Sequence, residues 1–212
     1  RESRRTDMNK DTKQTQQILT LRKAMAKALE EKRYEHTLGV AYTAASLAMC
    51  YGQDVYQAQV AGLLHDCAKN YTNEKRISIC KKNGIPINAA EQKNPFLLHA
   101  KVGSFLAREK YGVNDKAILD AITYHTTGRP NMSTLDKIIY IADYIEPGRR
   151  QAPGLPEVRQ LAFISLDDCL FRILKDTLDY LHASKMEIDM STQQTYDYYK
   201  ALQCEQKGGE IL

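Results

Sequence analysis

Apolar residues recur along most of the chain at the spacing of an α-helix, and no segment shows the sustained alternation of a half-buried strand. The few clusters of β-branched residues lie inside longer stretches that keep the 3.6-residue period. The pattern therefore predicts an all-α protein. The predicted helices cover residues 13–32, 34–51, 54–69, 73–83, 95–111, 114–126, 133–146, 156–184 and 191–204.

Residues that cap or break helices mark several of these boundaries. Asp54 and Asn114 precede predicted helices, where a side-chain oxygen can accept from the first free backbone N–H groups. Gly52 and Gly84 follow predicted helix ends, where a left-handed residue is common. Loops are therefore expected at residues 83–94, 127–132 and 147–156.

The composition is that of an ordinary globular protein, with 43% hydrophobic and 26% charged residues among 212. A chain of this length suits one domain, or one domain with an appendage. The net charge of +4 is small and dispersed, so no nucleic-acid partner is expected. The longest uncharged stretch, residues 37–53, is too short and too polar for a membrane-spanning helix. No association with a membrane is expected either.

The cysteines and the N-terminal residues indicate a cytoplasmic protein. The five cysteines are scattered and contain no Cys-x-x-Cys pair, which argues against a zinc knuckle or a redox motif. We expect them to be reduced, buried thiols. The charged run over residues 1–13 has no apolar segment behind it, so no secretory signal is expected.

Four of the five histidines lie on apolar faces of different predicted helices, and only His182 has charged neighbours. A single inward histidine is most simply a hydrogen-bonded core residue. Four such residues are harder to attribute to packing, because each imidazole needs partners for two ring nitrogens. These inward residues are His36, His65, His99 and His125. The neighbours of His65 are small alanines, which we expect to leave room for a bound group.

Two carboxylates also stand in apolar surroundings. Asp66 directly follows His65, and Asp143 is the charged residue in an otherwise apolar helical turn. A carboxylate in such a place must be paired, protonated or bound to a metal. A buried ion pair with a nearby lysine or arginine is the alternative to a metal ligand.

These residues resemble a known superfamily. His36, the His65-Asp66 pair and Asp143 follow the H…HD…D pattern of the HD-domain phosphohydrolases, which are all-helical and metal-dependent. Over roughly residues 30–185 the chain is similar to the YqeK-type symmetrical bis(5'-nucleosyl)-tetraphosphatases. The segments that carry this resemblance are residues 33–40, 63–69, 98–100, 125–128, 135–138 and 145–149.

The resemblance implies an HD-domain helical bundle with a metal site in its core. The implied divisions are a polar N-terminal extension with the first helix (1–30), the HD domain (31–190), and a C-terminal helix and tail (191–212). The implied reaction is hydrolysis of diadenosine tetraphosphate into two ADP, with iron as the metal. The implied metal ligands are His36, His65, Asp66 and Asp143. The implied catalytic residues are Asp66, Lys69, His99 and His125. The implied substrate contacts are His36, Asp66, His99, His125, Thr126 and Arg149.

The donor chemistry itself leaves the metal open. A metal held by two imidazoles and two carboxylates can activate water and polarise a phosphoryl oxygen. Because the set contains no thiolate, iron, manganese, cobalt and zinc all fit. His99 and His125 can complete a second metal site or, when protonated, bind phosphate directly.

Loop arginines are further candidates for phosphate binding. Pro147 and Gly148 should end a helix and turn the Arg149 guanidinium back towards the metal-facing end. A solvated surface position is the alternative for Arg149, and it is the favoured interpretation for Arg129 and Arg150.

Two functional alternatives remain at this stage. One is another HD-domain nucleotide phosphatase or phosphodiesterase, and the other is a non-catalytic nucleotide-binding sensor that keeps the ligand set. The long helix predicted over residues 156–184 most simply packs on the core, with a homodimer interface as the alternative.

Overall fold

In the computed structural model, which describes residues 2–152, 154–184 and 188–208, none of those residues lies in a strand. This confirms the predicted all-α class. The helices are α1 (Glu2–Ala28), α2 (Glu31–Cys50), α3 (Val55–Leu64), α4 (Asn73–Lys82), α5 (Ala89–Lys93), α6 (His99–Glu109), α7 (Lys116–Tyr124), α8 (Thr134–Ile145), α9 (Leu155–Ala162), α10 (Leu166–Ala183) and α11 (Met190–Gly208). A 3₁₀ turn over Pro95–Leu98 leads directly into α6.

Side-chain caps fix the starts of the helices that matter for the site. Asp54 accepts from the backbone N–H of Gln57 at the start of α3, as expected. The cap of helix α7 lies one residue later than predicted. Asp115, and not Asn114, accepts from the Ala117 backbone N–H. These caps satisfy N–H groups that a helix start otherwise leaves without partners.

The predicted helix over 156–184 is wrong, because the chain breaks there into α9 and α10. The Ser165 side chain caps α10 by accepting from the Asp168 backbone N–H. The Tyr51 hydroxyl donates to the Ala162 carbonyl at the end of α9 (2.7 Å). Ile164 continues the apolar period of the sequence, but it lies at the break and is 75% exposed. The period alone therefore predicted one continuous helix.

Three other predicted boundaries also need correction. The first helix ends at Ala28, and Glu30 is extended before α2 begins at Glu31, so no helix runs over 13–32. The predicted loop 83–94 contains the short helix α5, which a capping box between Asn88 and Glu91 stabilises. Helix α3 ends at Leu64 and does not continue to residue 69.

Four helices form the centre of the protein. Helix α3 packs against α2, α7 and α8, while α8 also packs against α2 and α7. Helix α6 covers α7, and α10 covers α8 on another side. Leu47, Leu63, Ile122, Ile139 and Ile141 are fully buried in this core. Burial of such side chains is the main stabilising contribution to the fold.

The small residues of α3 near His65 allow close packing of neighbouring helices. Ala58 and Ala61 are fully buried in α3. A Cβ atom on Gly62 would lie 2.7 Å from the Ala41 Cα atom of α2. The small side chains therefore allow close approach of the two helix backbones.

The C-terminal helix α11 packs back on the loop after α7. The Tyr199 hydroxyl accepts from the Met132 backbone N–H (2.9 Å), and the Thr195 hydroxyl donates to the Thr127 carbonyl (3.2 Å). Gly128 has φ +65°, and a Cβ there would lie 2.7 Å from Thr195 Cγ2. Within the described part of the chain, no helix combines the length and the apolar character needed to cross a membrane.

Candidate metal centre

Three helix ends meet at the predicted site. His65 directly follows α3, His125 directly follows α7, and Asp143 lies in the last turn of α8. His36 joins them from the second turn of α2, and His99 is the first residue of α6. The central packing of α2, α3, α7 and α8 therefore brings together side chains that are far apart in sequence.

His65 and Asp66 lie in a turn beyond α3, and the sequence placed them wrongly inside a helix. His65 Nε2 lies 3.5 Å from Asp66 Oδ2, so the two side chains face the same point. Both residues are buried, with exposures of 0% and 1%.

A first group of donor atoms consists of His36, His65, Asp66 and Asp143, the four predicted metal ligands. His36 Nε2 lies 3.1 Å from Asp143 Oδ1 and 3.9 Å from Asp66 Oδ2. His65 Nε2 lies 3.9 Å from Asp143 Oδ1. One donor atom each from His36, His65 and Asp143 lies within 4.8 Å of the others, a spacing that a single metal ion can bridge.

A second group gathers on the other oxygen of Asp66. Asp66 Oδ1 lies 3.4 Å from His99 Nε2, 3.5 Å from His125 Nε2 and 3.3 Å from Lys69 Nζ. His99 Nε2 is 3.2 Å from His125 Nε2 and 3.0 Å from Lys69 Nζ. The Thr126 hydroxyl lies 3.4 Å from His99 Nε2. Asp66 therefore stands between the two groups, with one oxygen in each.

Hydrogen bonds at Nδ1 set the orientation of all four imidazoles. In His65, His99 and His125, Nδ1 lies 2.7 Å from the carbonyl oxygen of the residue three positions earlier. Because a carbonyl only accepts, Nδ1 carries the proton and Nε2 of the neutral ring keeps its lone pair. His36 donates in the same way from Nδ1 to Glu146 Oε1 (3.0 Å). All four rings therefore direct Nε2 towards the site.

Several buried donor atoms in the site form no hydrogen bond within the described chain. These atoms are His36 Nε2, His65 Nε2 and Asp66 Oδ1. A buried polar atom without a partner is costly, and such atoms are rare in folded proteins. Lone pairs and carboxylate oxygens that converge in this way fit a bound cation, and imidazole with carboxylate suits first-row transition metals.

Burial and neighbouring charges shift the pKa values in the direction that favours metal binding. Burial lowers the pKa of His65 to about 4. Burial, together with the Lys69 ammonium, lowers that of His99 to about 3. Although burial opposes ionisation of Asp66, His65 and other neighbours hold its pKa well below the usual range. Burial likewise opposes ionisation of Asp143, but the His36 ring, 3.1 Å from Oδ1, lowers its pKa.

His36 differs from the other histidines in its electrostatic surroundings. Burial works against its charge, but contacts with Asp143, Glu146 and Asp66 outweigh burial and raise its pKa. The same carboxylates that raise this pKa would share a metal ion with the ring or orient it. Among the four histidines of the site, His36 is therefore the one whose contacts with carboxylates outweigh burial.

Two of the predicted cationic residues, Lys69 and Arg149, lie at the site, and each contacts one carboxylate. Lys69 contacts Asp66 and His99. Arg149 turns back from the loop after α8, and its guanidinium donates to the carbonyl and to Oδ1 of Asp143 (both 2.9 Å). Asp143 therefore forms the ion pair with a nearby arginine that the sequence offered as the alternative to a metal ligand. Arg150 is exposed, as expected.

Arg129 is not the solvated surface residue expected from the sequence. Its guanidinium donates to the buried Asp136 and to Asp120 (2.7 and 3.2 Å) and lies over the Tyr124 ring. These contacts tie the loop after α7 to the start of α8. The cysteine prediction is also partly wrong, because Cys50 and Cys204 are exposed, although all five thiols are free.

Sequence reasoning gave no role to two charged residues of the site. The Arg33 guanidinium donates to Asp66 Oδ2 (3.0 Å), and Glu146 is the buried partner of His36 Nδ1. Each lies three positions from a predicted ligand, so the helical spacing was a usable signal. The signal is weak, because charged residues near a helix end are most often solvated.

Comparisons with known proteins agree with this geometry. A model of the HD domain family matches residues 33–148. A Bacillus subtilis protein named bis(5'-nucleosyl)-tetraphosphatase, symmetrical, is 42% identical over 170 residues, which are 80% of this chain and 90% of that protein. A Staphylococcus aureus protein of the same name is 38% identical over 173 residues, covering 81% of this chain and 88% of that protein.

A solved structure shares the fold. It is described as a "predicted HD superfamily hydrolase involved in NAD metabolism" from Clostridium acetobutylicum. Its sequence is 41% identical, the TM-score is 0.83, and the match covers 86% of this chain and 96% of that one. The chain belongs to the HD-domain family and, within it, to the group whose relatives carry the name bis(5'-nucleosyl)-tetraphosphatase, symmetrical.

Proposed function

We propose that this protein hydrolyses diadenosine tetraphosphate symmetrically into two ADP in a metal-dependent reaction. The structural observation that carries the proposal is the convergence of unpartnered, buried donor atoms from His36, His65 and Asp66 beside Asp143. The names of the two similar proteins support the substrate and the symmetry of the cleavage. In the balanced reaction, water adds its oxygen to one inner phosphorus, and the bridging oxygen leaves on the other ADP.

The proposed metal site uses His36, His65, Asp66 and Asp143. A bound divalent metal would lower the pKa of water and neutralise charge on a phosphoryl oxygen. Iron rests on the family resemblance, while manganese, cobalt and zinc fit the same donors. His125 offers a second position together with His65 and Asp66. Metal analysis of the purified protein by mass spectrometry tests both the identity and the count of one or two ions.

The residues at the rim would bind the polyphosphate. Arg33 and Arg149 each use part of the guanidinium on a ligand aspartate, yet their side chains remain 35% and 40% exposed. Lys69 lies between Asp66 and His99 at the same rim. Charge-assisted bonds from these groups to phosphate oxygens would orient the substrate and compensate its negative charge.

The lowered pKa of His99 argues against the cationic role that the sequence left open for this residue. We assign it a neutral role, in which Nε2 accepts from the Lys69 ammonium and so holds that ammonium at the reacting phosphate. The departing ADP leaves through a weakly basic phosphate oxygen. Stabilisation by Lys69 and Arg149 would therefore suffice without a strong general acid.

The decisive experiment is to identify the products formed from diadenosine tetraphosphate by the full-length protein with added Mn²⁺, Co²⁺ or Fe²⁺. We expect ADP alone, and in ¹⁸O-labelled water one label in one of the two ADP molecules per turnover. AMP plus ATP as main products would overturn symmetrical cleavage. Release of phosphate from mononucleotides instead would favour another HD-domain phosphatase, and tight binding without turnover would favour a sensor.

A cytoplasmic location stays a prediction. A homodimer stays the alternative to simple packing of the predicted 156–184 helix on the core. Light scattering on the purified protein measures its mass in solution and tests for a homodimer directly.

A further inference from the structure

Glu146 is a buried carboxylate to which the proposed reaction gives no role. It follows the last residue of α8 and is 3% exposed. Oε1 accepts from His36 Nδ1 (3.0 Å), and Oε2 accepts from the Gly148 backbone N–H (2.5 Å). Both carboxylate oxygens are thus used, one on a proposed metal ligand and one on the turn that carries Glu146 itself.

The chain leaves space for this carboxylate by placing a glycine opposite it. Gly39 lies one turn after His36 on α2. A Cβ atom at Gly39 would lie 2.5 Å from Glu146 Oε2 and 3.2 Å from its Cδ. Real Cβ atoms essentially never come within 2.5 Å of another heavy atom, so a larger residue at position 39 would displace the carboxylate.

The turn that presents Glu146 is fixed from outside by Arg159 of α9. Its Nε donates to the Ile145 carbonyl (2.8 Å), and its Nη2 donates to the carbonyls of Glu146 and Arg149 (2.9 and 3.1 Å). Carbonyl groups at the end of a helix lack partners within the helix. Arg159 supplies these partners and so holds the backbone on both sides of the carboxylate.

The geometry points to Glu146 as a positioning residue for the metal centre, seated in a space that Gly39 provides and acting through the His36 ring. By accepting from Nδ1, it fixes the tautomer and the rotation that direct Nε2 at the metal. Carboxylates that orient metal-bound histidines commonly determine metal affinity. The inference rests on the metal site of the proposed function, but not on the substrate.

The test is a titration of the full-length, metal-stripped protein with Co²⁺, followed by visible absorption and calorimetry. Glu146→Ala should weaken Co²⁺ binding by about 10- to 100-fold. Glu146→Gln should lose less Co²⁺ affinity, because its single amide oxygen can still accept from either His36 Nδ1 or the Gly148 backbone N–H. Glu157→Ala, which removes an exposed carboxylate from α9, is the matched control and should bind Co²⁺ like the unchanged protein.

A double-mutant cycle distinguishes positioning from general damage to the fold. Gly39→Ala should weaken Co²⁺ binding in the native background, where the new methyl group meets the carboxylate. In the Glu146→Ala background the nearest remaining side-chain atom is Cβ, 3.5 Å away. There the same Gly39→Ala change should alter Co²⁺ affinity less than about twofold, because interacting sites are not additive.

Nuclear magnetic resonance of the Zn²⁺-loaded protein gives an independent signature. The His36 Nδ1 proton should be slow to exchange with water in the native protein and fast in Glu146→Ala. Equal Co²⁺ affinity of native and Glu146→Ala proteins, or additive losses in the cycle, would overturn the inference. Failure of the native protein to bind Co²⁺ would instead remove the proposed metal site on which it rests.

Discussion

Asp66 is the residue on which the site depends most. Its Oδ2 faces Arg33, His36 and His65, and its Oδ1 faces Lys69 and two more histidines. Removal of this carboxylate would leave the Arg33 guanidinium and the Lys69 ammonium without their partner in the site. Its neighbour His65 has no exposed surface, and its Nε2 forms no hydrogen bond within the described chain.

We therefore expect His65→Ala and Asp66→Ala to lose most of the bound metal and the activity together. The physical reason is the loss of a donor atom from a site with few alternatives. His182→Ala and Asp179→Ala are the matched controls, since both residues are exposed on α10. Metal content and turnover measured side by side check the prediction, and full metal content in both site variants would contradict the ligand assignment.

Arg149 and Arg150 offer a comparison between adjacent arginines. Arg149 lies against Asp143 at the rim, whereas Arg150 is exposed and away from it. A charge-assisted hydrogen bond to phosphate is worth roughly 1.5–3 kcal/mol. Arg149→Ala should therefore lower kcat/KM about 10- to 100-fold with metal content unchanged.

Arg150→Ala is the control and should change kcat/KM little. Equal, small effects at both positions would make Arg149 a surface residue. A loss of metal in Arg149→Ala would show that its main role is to hold Asp143.

Among single residues, those in an unusual chemical environment could be selected from the sequence. His36, the His65-Asp66 pair and Asp143 stand out because they lie on otherwise apolar faces of the predicted helices. Glu146 could not, because its burial depends on a glycine 107 positions earlier in sequence that only the fold brings opposite it. Contacts of side chains with backbone carbonyls could not be predicted either, because the pattern of polar and apolar side chains does not indicate them.

Among the helices, the ends that carry ligands are held by arginines from the next element. Arg76 of α4 donates to the carbonyls of Ala68 and Lys69, in the turn that follows His65 and Asp66. Arg159 of α9 does the same for the turn after α8. These arginines therefore stabilise the turns after α3 and α8, where backbone carbonyls lack partners within a helix.

Helices α2 and α3 set the distance between His36 and the His65-Asp66 turn, and Gly62 sets their separation. We expect Gly62→Ala to destabilise the protein by about 1–3 kcal/mol, because the new methyl group would overlap the Ala41 backbone. Urea unfolding measures this change. Gly103→Ala is the matched control, since its nearest heavy atom would be 3.4 Å away, and it should cost less. Equal stability of Gly62→Ala and the native protein would contradict the packing argument.

The helices themselves were largely predictable, and their breaks were not. Period and caps placed α4 and α8 within one residue or so of their observed bounds. The break between α9 and α10 follows from the Ser165 cap and the Tyr51 contact, which compete with a continuous apolar period. The end of α3 before His65 has no capping signal at all, because the tertiary contacts of the turn decide it.

For the whole molecule, the buried histidines couple the stability of the metal-free protein to pH. The pKa of His65 is lowered to about 4 and that of His99 to about 3, below the ordinary value of 6.5. The unfolded chain therefore binds protons first as the pH falls, and stability is lost from about pH 6.5 downward. At pH 5 each of these two histidines should cost about 2 kcal/mol relative to pH 8.

The raised pKa of His36 acts in the opposite direction and offsets part of this loss. The lowered pKa values of Asp66 and Asp143 change the stability only at a pH near or below the ordinary carboxylate pKa, which lies outside the interval from pH 8 to pH 5. Urea unfolding of the metal-free protein between pH 8 and pH 5 measures the net slope. Stability that is constant or rises as the pH falls would contradict the prediction.

The meeting of three helix ends at the centre also has an electrostatic consequence beyond the side chains. Aligned peptide dipoles give the C-terminal end of a helix roughly half a negative charge, so α3, α7 and α8 all direct negative potential at the same point. The interior of the site therefore attracts cations and repels phosphate, whereas the arginines and the lysine of the rim attract phosphate. We therefore expect a polyphosphate that arrives before the metal to be held at the rim. This would favour an order of loading with metal first and nucleotide second.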